Sequence, residues 1–70
     1  MTFKQQVDNL TVYQDDKKLL IDLQATKKKA ENFYYELLWF DELKKANVIK
    51  LFLTGVNQSI KQGKDFEPAF

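Results

Sequence analysis

The 70-residue chain balances 11 basic residues, all of them lysine, against 10 acidic ones for a net charge of +1, and has neither cysteine nor histidine. Disulfide staples are thereby excluded, and the usual zinc sites lose their ligands. The near-neutral charge gives no long-range field toward nucleic acid or an anionic membrane, and the lack of arginine removes the bidentate fork that reads guanine edges.

A chain this short buries only about 60% of the surface its unfolded form exposes. Stability has to come from well-formed helix packing or from self-association. No internal repeat or low-complexity tract interrupts the chain, so residues 1–63 are expected to form one helical domain and 64–70 a tail.

The opening "MTFKQQVDNL" lacks the basic n-region and apolar core of a signal peptide, and no run approaches the roughly 18 to 20 apolar residues of a membrane span. A cytoplasmic location is the expectation. Phe3, Val7 and Leu10 are spaced 4 and 3 apart, with Thr2 available as N-cap, and predict a short first helix. A hairpin competes with it, because "LTVY" and "LLIDL" are β-prone and flank "QDDKK". That connector lacks the Asn-Gly or Asp-Gly of tight hairpins, so helix is preferred for the first segment.

Next, Leu19, Leu23, Thr26, Ala30, Phe33, Leu37 and Phe40 recur at the alternating four- and three-residue spacing of a bundle helix. Asp15 and Asp16 stand before this stripe as N-capping carboxylates, and a helix over about 17–46 is predicted. A further stripe of Leu43, Ala46, Ile49, Leu53, Val56 and Ile60 leads to Gly63, placed where a helix C′ residue belongs. The stripes change phase between Phe40 and Ala46. A break there, with Asp41 or Asn47 capping a new helix, is preferred, because an unbroken helix over 17–62 would be about 69 Å long and bury little within its own chain. Gly55 weakens the third helix at its centre or permits close backbone approach. The fold class is therefore all-α, a small bundle of two to three helices with a long central one, completed by self-association.

Within "FYYELLWF", Phe33 to Phe40, seven of eight residues are aromatic or leucine. On a wheel Phe33, Leu37 and Phe40 form the inward stripe, Tyr34 and Leu38 a second, Tyr35 and Trp39 a third. A helix apolar on every side must be covered on every side, and two short flanking helices cannot surround it. Tyr34, Tyr35, Leu38 and Trp39 are thus candidate protein-interface residues, in keeping with the preference of Trp and Tyr for interfaces. Phe66 and Phe70 of the tail "KDFEPAF", stiffened by Pro68, are further candidates for docking as an extended arm.

Lys27, Lys28 and Lys29 form the basic cluster, and are candidate nucleic-acid contacts if a dimer doubles them. Three consecutive helical residues fan over about 200°, however, and do not make one phosphate-tracking face. The pairs Asp15-Asp16 and Asp41-Glu42 lack the oxygen spacing of a calcium loop and are better explained by capping and by an i,i+4 pair of Asp41 with Lys45. Phosphate loops and dinucleotide motifs are lacking, and Thr54 and Ser59 have no histidine base to activate them. No enzymatic activity, metal or cofactor is expected.

The expectation is a non-enzymatic helical interaction protein, homo-oligomeric or bound to a protein partner, serving as an inhibitor, adaptor or assembly factor. Its small, arginine-free character is of a kind met among phage and other accessory genes. A small nucleic-acid-binding regulator and a structural scaffold subunit are the alternatives. The first predicts steeply salt-dependent affinity, the second growth beyond a closed oligomer.

Overall fold

The computed structural model describes residues 2–63. It is an all-α bundle of three helices: α1 Phe3–Asp8, α2 Leu23–Trp39 and α3 Leu43–Gln62. The two long helices pack against each other as a hairpin, closed at one end by residues 40–42. Apolar residues of all three helices, with Leu10 from the turn after α1, meet in one core of Val7, Leu10, Ala30, Leu37, Ala46, Ile49, Phe52 and Val56.

The start of α1 carries the expected cap. The Thr2 hydroxyl accepts from the Gln5 amide at 3.2 Å, and the Thr2 amide donates to Gln5 Oε1 at 2.9 Å, a reciprocal capping box. The short helix is held down through its side chains. Phe3 packs its ring 6.1 Å from that of Phe33 on α2, and the Lys45 ammonium of α3 lies 5.6 Å from the Phe3 ring centre.

Between α1 and α2 the chain does adopt a rudimentary hairpin. Tyr13 and Ile21 form an antiparallel bridge, flanked by Gln14 N–H to Leu20 C=O and Asp22 N–H to Val12 C=O, both 2.8 Å. The helix and hairpin readings of the N-terminal region both hold, for successive segments. The turn needs no Asn-Gly: the Asp15 carboxylate accepts from the Leu19 amide at 3.1 Å, and Lys18 takes the left-handed conformation at φ 58°.

This hairpin moves the start of the central helix. The N-cap is Asp22, whose carboxylate accepts from the Ala25 amide at 3.0 Å, while Asp15 and Asp16 serve the turn region instead. Leu19, expected on the inward stripe, lies in the hairpin and is 74% exposed. The helix is 17 residues long, about 25 Å, where about 30 residues were expected.

The break after α2 occurs as expected, by a different device. Asp41 sits left-handed at φ 59°, its amide donating to Leu38 C=O at 3.1 Å, and Glu42 N–H reaches Leu37 C=O at 2.8 Å. This pair of bonds is the Schellman pattern with Asp in the place usually taken by Gly. Asp41 therefore stops α2 rather than capping α3. Glu42 is the N-cap of α3, with no side-chain cap bond, and Lys45 lies 3.9 Å from Glu42, not in the expected pair with Asp41. Gly63 ends α3 at φ 66° as anticipated.

Candidate protein interaction surface

The buried stripe of α2 runs through Thr26, Ala30 and Leu37, with Leu23, Phe33 and Tyr34 partly buried against the core. At about 100° per residue, Tyr35 and Trp39 stand some 160° around the helix from that stripe. Their exposure agrees: Trp39 is 85% accessible and Tyr35 63%. Where the outer face of a bundle helix ordinarily carries charge, this one carries two large rings a turn apart.

Phe40 departs from the expectation. It was placed inward, but α2 ends at Trp39 and Phe40 is the C-cap, so its side chain no longer continues the helical stripe and is 67% exposed. Leu43, the first residue of α3 and also expected inward, is 57% exposed. Leu38, flanking the core-facing side, is marginally exposed. Five large apolar side chains between Tyr35 and Leu43 thus face solvent at the last turns of α2 and the corner that follows. Sequence patterning could have found Phe40 and Leu43 only by locating the helix stop, which rests on a non-glycine residue in a left-handed conformation.

The four predicted interface residues within the described region separate. Tyr35 and Trp39 share the outer stripe, and Leu38 lies beside it. Tyr34 turns toward the core, its ring in an edge contact 5.7 Å from that of Tyr35, so that it braces the outer ring from behind. Phe66 and Phe70 lie outside the described residues.

The three lysines diverge as their spacing requires. Lys27 is partly buried, Lys28 is exposed on the stripe of Tyr35 and Trp39, and Lys29 lines a groove between α1 and α2 with Gln6, Asn9, Leu10, Asn32, Phe33 and Glu36. The groove, of about 290 Å³, and a second of about 350 Å³ where the hairpin meets the end of α3, are both open to solvent. Among the described residues no group of three acidic side chains is placed to hold a metal ion. No helix among them is long and apolar enough to cross a membrane.

Comparison with known proteins leaves the surface to be read from its own residues, since no family model, curated protein or solved structure matches the chain.

Proposed function

We propose that the chain is a non-enzymatic interaction protein that works through the outer face of α2 and the α2–α3 corner. That face docks on another protein surface, either a second copy or a target whose activity or assembly the chain modulates. The observation that carries the reading is Trp39, 85% exposed one turn after an equally outward Tyr35. The three aromatic rings at positions 35, 39 and 40 expose roughly 400 Å² between them, taking about 200 Å² for each full side chain. With Leu38 and Leu43 the patch reaches roughly 600 Å², the upper end of what a monomeric protein shows as its largest apolar patch. Aromatic anchors of this kind dominate binding energy when a partner desolvates them.

Affinity capture tests the reading. The tagged chain is passed through lysate of its source cell supplemented with untagged chain, alongside the variants Trp39→Lys and Leu51→Lys. Leu51 is 69% exposed on the outer side of α3, away from the patch, and serves as the control. Loss of the captured protein with Trp39→Lys, and retention with Leu51→Lys, is the expected result. Capture that ignores both substitutions refutes the docking face.

A further inference from the structure

The corner between α2 and α3 is closed by three residues, Phe40, Asp41 and Glu42, with neither glycine nor proline among them. Its turn depends on Asp41 holding the left-handed conformation at φ 59°, which strains an L-residue and does not strain glycine. Beyond it α3 starts at Glu42 with no side-chain cap bond, so the stop of α2 rests on the two backbone bonds from Asp41 to Leu38 and from Glu42 to Leu37. All three corner residues accept ordinary helical backbone once the turn is released. Short, strained hinges between packed elements are where identical chains exchange an element.

The contact open to exchange is the main one in the molecule. α2 and α3 pack together and bury Thr26, Ala30 and Leu37 on one side, Ala46, Ile49, Phe52 and Val56 on the other. A second copy carries the same α3 surface, so it can take the place of the chain's own helix without loss of that core. Exchange therefore keeps the packing, frees Asp41 in both chains, and brings the two corners together at the two-fold axis. Phe40 and Leu43, 67% and 57% exposed in the closed corner, are the side chains this meeting covers.

We propose that the α2–α3 corner is a hinge through which two copies of the chain exchange α3, giving a domain-swapped dimer whose stability is set by the residue at position 41. α1 stays with its own α2, where Phe3 packs on Phe33, while the Lys45 beside the Phe3 ring comes from the second copy. An open chain buries little by itself, so the open form is held by dimerisation and its share rises with concentration. Tyr35 on the outer face of α2 takes no part in the exchange. The hinge thus stands apart from the docking proposed above, and either can fail alone.

Sedimentation equilibrium of the full chain from micromolar to about 1 mM, with Asp, Gly or Ala at position 41, reads the balance, and circular dichroism verifies that each variant keeps its helices. The wild type is expected to dimerise in this range. Asp41→Gly relieves the closed corner and should weaken the dimer several-fold, whereas Asp41→Ala, a poor left-handed residue and a good helical one, should tighten it by about tenfold.

A distance measurement tells a swapped dimer from two closed chains in contact. The chain has no cysteine, so spin labels attach only at Gln24→Cys and Gln58→Cys, two exposed positions at the open end of the hairpin. As neighbours on packed helices they lie under about 25 Å apart in a closed chain. Each stands 17 residues from Asp41 (41 − 24 and 58 − 41), about 25 Å of helix, so opening past a right angle separates them by more than about 35 Å. Doubly labelled chain diluted in excess unlabelled chain should show the long distance in its dimer fraction. A dimer with only the short distance overturns the exchange, as does a wild type that stays monomeric to about 1 mM together with its Asp41→Ala variant. A dimer affinity indifferent to both substitutions overturns the hinge.

Discussion

Thr26 shows how much one side chain can hold. It is fully buried, and its hydroxyl accepts from the Val12 amide at 2.9 Å and donates toward the Val12 carbonyl at 3.5 Å. It thereby ties the strand-like segment after α1 to the first turn of α2. In the sequence Thr26 sits on the apolar stripe and passes for a helix position tolerant of a hydroxyl, because its partner lies 14 residues away. Thr26→Val keeps the shape and removes both bonds, leaving the Val12 N–H without its acceptor while its carbonyl retains Asp22. A loss of about 1–2 kcal/mol is expected in urea denaturation, with faster hydrogen exchange at the Val12 amide and little change in helix content.

Asp41 is the second instructive residue. Left-handed backbone costs an ordinary L-residue roughly 1–2 kcal/mol, less for Asp, and Gly carries no such strain. Asp41→Gly should therefore raise stability by about 0.5–1 kcal/mol in thermal or urea melts, through a Schellman stop that is already formed. Asp41→Val should lower it, since a β-branched side chain fits that conformation worst.

At the scale of the element, α3 separates apparent from actual core positions. Its sequence stripe passes through Leu53, but the buried face runs Ala46, Ile49, Phe52, Val56 and Ser59, a rotation toward Phe52 that leaves Leu53 partly buried. Phe52 is the largest fully buried side chain and meets the core at 2% exposure. Phe52→Ala is expected to cost about 3–5 kcal/mol, whereas Leu53→Ala should cost about 1–2 kcal/mol. A chain of this size rarely has more than about 3–5 kcal/mol in hand, so Phe52→Ala should abolish the cooperative unfolding transition and Leu53→Ala should only shift its midpoint.

For the whole molecule, the central question is how a small core coexists with so much exposed apolar surface. The core draws on one side of each long helix and on α1, which is only six residues long and lies across the inner side. Nothing in residues 2–63 covers the opposite side of α2. Among the described residues the flanking elements leave the aromatic segment uncovered on that side, and the helix carrying it is 17 residues long instead of about 30. The docking proposed for that face offsets this deficit by burying the outer rings against another protein surface. Binding through it should strengthen on warming from near 0 °C to room temperature, as contacts dominated by apolar burial do, and should depend only weakly on added salt.

By itself the sequence determined the all-α class, the existence of each helix, the break between α2 and α3, and the caps at Thr2 and Gly63. These follow from spacing and cap chemistry within a few residues, which act locally. Tertiary structure alone decided that Thr26 fastens the hairpin, that Phe52 outranks Leu53, and that Phe40 and Leu19 face water while Tyr34 turns inward. Each of those outcomes depends on how far a helix is rotated about its axis and where it stops. Rotation is settled by how the assembled faces pack, and the stop after α2 rests on Asp41 holding a conformation that spacing does not encode.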